Sequence, residues 1–150
     1  MTHRLRWVVG LTAWAAALFG VLWIERLPHD LDDIIPCGIW GCLPPLQALA
    51  AGHAFWIVLL GPITAFVGKT APPHWSRLSG MLAVVAGVGG LAIVVGDTWI
   101  NWCAHVPPGQ RIHAGRRIVF VVASWVDFPM LQLLGAGVCL LGMAQHRPSV

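Results

Sequence analysis

Charge is what this chain lacks first. Nine basic and six acidic residues make only 10% of its 150 residues charged, against about 25% in an ordinary soluble domain. Hydrophobic residues supply 57% and mean hydropathy is +0.75. That balance excludes a soluble globular protein and puts the chain in the membrane class. The net charge of +3 is scattered and forms no basic stripe. Nothing could displace counterions from a phosphate backbone, so nucleic acid is excluded as a partner. Lys69 is the single lysine against eight arginines, a skew read as nucleotide-composition bias. Tyrosine is absent while tryptophan occurs nine times, so an interfacial aromatic belt must rest on tryptophan. Low-complexity tracts, internal repeats, a phosphate-cradling glycine loop and a Ser/His/Asp grouping at informative spacing are all missing.

Long apolar stretches are what is there. Residues 7–24 follow a basic start with Arg4 and Arg6 and carry no formal charge over 18 positions, enough to cross a hydrocarbon core of about 30 Å. The stretch ends Val21-Leu22-Trp23-Ile24-Glu25 with no small-x-small cleavage site, so it reads as a retained helix and not a signal peptide. A second span is expected over 46–67, with Pro45 suited to its first turn and Gly61-Pro62 expected to kink it. A third covers 80–100 with Ser79 as its N-cap. A fourth covers 118–144, interrupted by Asp127-Phe128-Pro129. Small residues four apart predict close helix packing in lipid: Ala48 and Gly52, Gly61 and Ala65, Ala83 and Gly87, Ala86 and Gly90. The expected fold is all-α, a bundle of four transmembrane helices forming one domain over 1–150, with loops one and three as a small extracytoplasmic cap.

Four spans put both termini on one side and the connections 25–45 and 101–117 on the other. Basic residues divide five to four between the two sides, so the positive-inside rule hardly discriminates. The flanks of the first span are basic before it and mainly acidic after it, at Glu25, Asp30, Asp32 and Asp33. The expectation is a multi-pass protein of the cell (inner) membrane with cytoplasmic termini.

The densest chemistry lies at Cys37-Gly38-Ile39-Trp40-Gly41-Cys42. Gly38 and Gly41 give the two cysteines the backbone freedom to close a small ring. Cys103, in the third connection, falls on the same side of the membrane. A Cys37–Cys42 or Cys42–Cys103 bridge is conceivable in an oxidising compartment, and sequence does not fix connectivity. Four readings stay open: a structural staple, inert thiols, a redox pair, or a metal set. The metal set is Cys37, Cys42, Cys103 and His105, an S₃N group suited to zinc or a softer ion. Cys139, inside the fourth span, reads as a small hydrophobe. In layout the chain resembles the quinone-linked membrane enzymes that generate disulfides, with four spans, a cysteine pair before the second helix and a cysteine in the second outer loop. Two departures stand against electron relay. Those enzymes separate the first pair by two residues where this chain has four, and they carry a second pair where Cys103 stands alone.

Ionisable groups inside spans form the other candidate. His53 lies eight residues past Pro45 and Asp127 ten past Arg117, which gives depths of roughly 12 Å and 15 Å. A charged residue there costs about 2.5–3.5 kcal/mol on insertion scales and normally faces a partner. The expectation is that His53 and Asp127 pair or share a water, with Ser124 on the Asp127 face and Asp97 at the mouth. Such a site serves either as a proton-coupled or ligand site or as a polar clamp that fixes packing. His53 is the one histidine well inside a span, which argues against a bis-histidine haem.

No catalytic motif is present, and no cofactor is indicated. The reading the residues carry furthest is an accessory or assembly subunit that acts through helix packing, partnered by the bilayer and by other membrane subunits or itself. The alternatives are a membrane thiol–disulfide oxidoreductase using Cys37 and Cys42, and a proton-coupled carrier or metal-binding protein using His53 and Asp127.

Overall fold

The computed structural model describes residues 3–24, 37–38, 41–42 and 46–146. Over these the chain is almost entirely helical. α1 is His3–Ile24, α2 is Leu46–Thr70 and α3 is Pro73–Asp97. A π-helical turn, Thr98–Trp102, carries α3 into α4, Cys103–His105, so that Pro73–His105 forms one apolar run of 33 residues. A 3₁₀ turn, Pro108–His113, leads into α5, Ala114–Ser124, and the last helix is α6, Met130–Gln145. Three stretches are long and apolar enough to cross a membrane: Trp7–Ile24, Ala48–Thr70 and Pro73–His105. The one extended pairing among the described residues joins β1, Cys37–Gly38, to β2, Gly41–Cys42, two residues each and antiparallel. The expected cap residues Glu25, Asp30, Asp32, Asp33 and Trp40, and Pro45 before α2, lie outside the described residues.

The helices are longer than their apolar cores predict. The connection expected over 68–79 is reduced to Ala71 and Pro72. Pro72 is extended (φ −55°, ψ 149°) and serves as the N-cap of α3, with Pro73 in the first turn. A proline there needs no N–H, and its fixed φ suits a helix start. The same pair stops α2, because a residue before proline is driven out of the helical region. Ser79 therefore sits inside α3 and caps nothing. The connection expected over 101–117 is likewise mostly helical. The fourth stretch, expected over 118–144, is two helices of 11 and 16 residues separated by Trp125–Pro129. Pro129 has no N–H to return to the Trp125 carbonyl, and here the backbone leaves the helical region, at Trp125 (φ −83°, ψ 89°) and at Pro129 (φ −81°, ψ 60°).

The chain divides into two compact units, Met1–Leu59 and Leu60–Val150, the boundary falling inside α2. In the first unit, the Trp14 indole of α1 donates a 2.7 Å hydrogen bond to the Val58 carbonyl of α2. That carbonyl's helical partner would be the N–H of residue 62, which is proline. α2 runs through Pro62 unbroken, and a tryptophan from the neighbouring helix supplies the donor that Pro62 lacks.

In the second unit, α3 and α6 pack antiparallel along their lengths. Gly80 meets Gly137 and Leu141, Gly87 meets Met130 and Leu134, and Gly90 meets Met130 and Phe128. Gly80, Gly87 and Val94 are buried on α3, as are Met130, Gly137 and Ala144 on α6. Each set repeats every seven residues, which keeps one seam in register along two helices. The seam is made of backbone. A Cβ on Gly137 would stand 2.7 Å from the Gly80 carbonyl oxygen and 2.9 Å from the Val84 nitrogen. Only hydrogen fits there, and that approach is what small residues permit between helices in lipid. Of the four-residue pairs read from sequence, Gly87 and Gly90 lie at this contact, whereas Ala86, Gly61 and Ala65 are exposed. The end of α2 joins the same unit. Gly68 is covered by Met143 of α6, and the buried Ser76 hydroxyl donates to the Val67 carbonyl at 3.4 Å.

The outward faces are apolar. Val85, Leu82, Ile93, Val119 and Val138 are each at least 61% exposed. An apolar surface on that scale marks contact with a membrane or with other proteins.

Candidate functional site: a charged clamp above an apolar groove

Asp97 closes α3, and the π-helical turn follows at once. The turn is marked by the Cys103 N–H reaching back five residues to the Thr98 carbonyl. Thr98 is buried, and its hydroxyl donates to the Val94 carbonyl at 2.9 Å. Asn101 donates from Nδ2 to Asp97 Oδ1 at 2.8 Å, and His105 Nδ1 meets the Asn101 carbonyl. α5 then runs back beside this end of α3. It brings Arg117 Nη2 to 3.7 Å from Asp97 Oδ2, with the guanidinium over the Trp102 ring at 5.3 Å. Arg117 is the more enclosed partner, its side chain 19% exposed against 51% for Asp97. Its Nε is buried without a hydrogen-bond partner.

One turn back along α3, toward its start, lies an open groove of about 410 Å³. Gly89 and Gly90 form its floor, Trp125 and Phe128 from the α5–α6 break stand beside it, and Ile93 and Met130 complete the lining. Trp125 and Phe128 both lie in the non-helical link, and both line the groove. Ala86 also lines it, and Ala86, Gly90, Ile93 and Asp97 recur at steps of four, three and four. Groove and acid therefore share one face of α3.

The residues expected from sequence fall as follows. Asp97 is at the clamp. Asp127 is exposed in the non-helical link, beside Trp125 and Phe128. Ser124 ends α5 and donates to the Val121 carbonyl at 3.1 Å. Because the helix stops there, helical spacing does not carry Ser124 onto a face with Asp127. His53, half-buried on α2, belongs to the first unit and Asp127 to the second. Cys37 stands directly opposite Cys42 in the β1–β2 pairing. Cys103 is a buried free thiol, His105 two residues on is exposed, and Cys139 is a free thiol exposed on α6 rather than packed. Among the described residues no three metal-ligating side chains come together.

Arg117 and Trp14 are the residues that sequence reading missed. A signal existed for each: an acid at the end of a span calls for a cation on the neighbouring helix, and a proline inside a span frees a carbonyl that some donor must meet. Compared with protein-family models, curated proteins and solved structures, the chain matches none.

Proposed function

We propose that the chain crosses the cell membrane four times, termini cytoplasmic, and works as an accessory or assembly subunit through helix packing. α5 and α6 are about 16 Å and 24 Å long at 1.5 Å per residue, each short of a hydrocarbon core of about 30 Å. Together, running antiparallel to α3, they make a broken fourth crossing. The observation that carries the packing role is the Gly80–Gly137 backbone contact. It spends small residues on one rigid pair and leaves broad apolar faces of α3, α5 and α6 turned outward for further helices. Extraction of the tagged protein from its own membranes in mild detergent, with cross-linking and mass measurement, tests this. The expected result is a defined assembly larger than the 16.2 kDa chain. A monodisperse single chain, never cross-linked to itself or another subunit, overturns it.

The Cys37–Cys42 register favours a second reading, a thiol–disulfide function. Opposed residues in an antiparallel pair have Cα atoms about 4.5–5.5 Å apart, inside the range of about 4.4–6.8 Å that a disulfide spans. The reduction potential separates a staple from an exchanging pair: a structural disulfide lies below about −300 mV and an exchanging one above it. Asp127 in an unwound segment leaves the carrier reading as a third, since broken helices beside acids are where membrane transporters hold ions. Loss of transport on Asp127→Asn with helix content unchanged would favour it.

A further inference from the structure

We propose that the clamp and the groove are one site, and that it holds an anionic phospholipid, with an acyl chain along Gly89 and Gly90 and the phosphate at Arg117 and Arg116. The inference requires the chain to lie in a bilayer, and it is independent of the accessory role.

The chemistry of Arg117 comes first. A guanidinium has five N–H donors in a planar fork. Here Nε is buried without a partner, Nη2 stands 3.7 Å from Asp97, outside hydrogen-bond range, and the other described contact is the Trp102 ring. A partly desolvated guanidinium whose donors are unused matches phosphate oxygens, which accept two parallel N–H bonds from that fork. Asp97 stands beside Arg117 without a hydrogen bond to it: its Oδ2 is 3.7 Å from Nη2, while its Oδ1 accepts from Asn101 at 2.8 Å. Charge points the same way. Residues 98–126 contain three arginines, Arg111, Arg116 and Arg117, and no acid. Against them stand Asp97 and Asp127, the latter in the link between Trp125 and Phe128, so a net charge of +1 gathers around the clamp and the groove, and Arg116 is exposed next to Arg117.

Position decides what kind of phosphate. Trp99 and Trp102 lie in the last two turns of the apolar run Pro73–His105, with Arg117 beside Trp102, and tryptophan and arginine near the end of such a run anchor to lipid headgroups. The groove starts at Ile93, one turn deeper, and extends to Ala86 on the same face. Seven residues of helix make about 10 Å, the direction and depth of an acyl chain descending from a headgroup. Its lining is apolar throughout, with two aromatic rings and no charged group, so a free phosphate would use the arginines and leave the groove empty.

Native mass spectrometry on the detergent-purified protein tests the proposal, with dioleoyl phosphatidylglycerol and dioleoyl phosphatidylcholine as probes that share chains and differ in headgroup charge. Wild type is expected to retain one phosphatidylglycerol and to prefer it about tenfold. Gly89→Leu fills the groove without meeting any atom within 4 Å of its Cβ, and is expected to lose binding of both lipids about tenfold. Ala86→Leu, at the far end, gives an independent reading of the same loss. Arg117→Gln is expected to abolish the headgroup preference while chain-dependent binding persists. Gly142→Leu adds the same bulk on α6, where nothing lies within 4 Å, and is expected to bind as wild type. Helix content by circular dichroism confirms that each variant folds. Equal binding of the two lipids by wild type overturns the proposal. So does undiminished binding by both Gly89→Leu and Ala86→Leu, or a dimer that forms without lipid and is lost on Gly89→Leu.

Discussion

Replacing Trp14 with phenylalanine probes how this chain tolerates a proline inside a long apolar helix. The Trp14 indole donates to the Val58 carbonyl at 2.7 Å, the carbonyl that Pro62 leaves without a helical donor. Trp14→Phe keeps an aromatic ring and removes the donor. An unsatisfied buried acceptor costs about 1–3 kcal/mol, while side-chain hydrogen bonds measured in membrane proteins average about 0.6 kcal/mol with a maximum near 1.7. The expected loss is about 1 kcal/mol, roughly a fivefold rise in the unfolding constant. The decisive arm is Pro62→Ala, which restores an N–H to Val58. In that background Trp14→Phe should cost less than about 0.5 kcal/mol, because the helix now meets its own carbonyl. The assay is reversible unfolding of the four proteins in mixed micelles, followed by circular dichroism. Equal losses from Trp14→Phe in both backgrounds would refute the reasoning, since the tryptophan would then be acting through ring packing alone.

Three further outcomes are expected. Gly137→Ala should lower stability by about 1–3 kcal/mol, because its Cβ meets the Gly80 carbonyl and the Val84 nitrogen, which cannot swing aside. Gly135→Ala, two residues away with nothing within 4 Å, should raise it by about 0.4–1 kcal/mol, so one assay of both tests the seam through the sign. Alkylation without reductant should modify Cys139 quickly and the buried Cys103 slowly, with Cys37 and Cys42 reacting only after reductant; four thiols reacting at once in native protein would remove the disulfide. Asp97→Asn keeps the acceptor that Asn101 uses and breaks only a half-exposed ion pair, so it should change stability by less than about 1 kcal/mol.

The all-helical class was legible because membrane spans are written in runs rather than in periods: scarcity of charge over 18 or more positions suffices. Where α2 ends was not legible from hydropathy, since Gly68 to Arg77 reads as a polar stretch. The local chemistry of Ala71-Pro72-Pro73 decides it, one proline capping α3 and the next beginning it. The break at Asp127-Phe128-Pro129 was visible as a proline. Its consequence, two aromatic side chains set against Gly89 and Gly90, was not, because that depends on the antiparallel register of α5 and α6 along α3. Glycine pairs four apart located the packing face only in part. The seven-residue series Gly80, Gly87 and Val94 carries it, and only a partner helix with the matching series Met130, Gly137 and Ala144 reveals that it is used. Arg117 was hidden for a similar reason: twenty residues separate it from Asp97 in sequence, and the π-helical turn sets how the two ends meet.

The central claim is that α5 and α6 together form a fourth crossing beside α3. Topology mapping tests it most directly. Single cysteines placed before His3 and after His146, in a background with the four native cysteines replaced, are labelled in intact cells with a membrane-impermeant maleimide. The account predicts that both positions lie on one side, protected in intact cells and labelled after lysis, with a third probe at Ala71 protected alongside them. Labelling of one terminus but not the other in intact cells would mean three crossings, and would contradict the broken fourth helix.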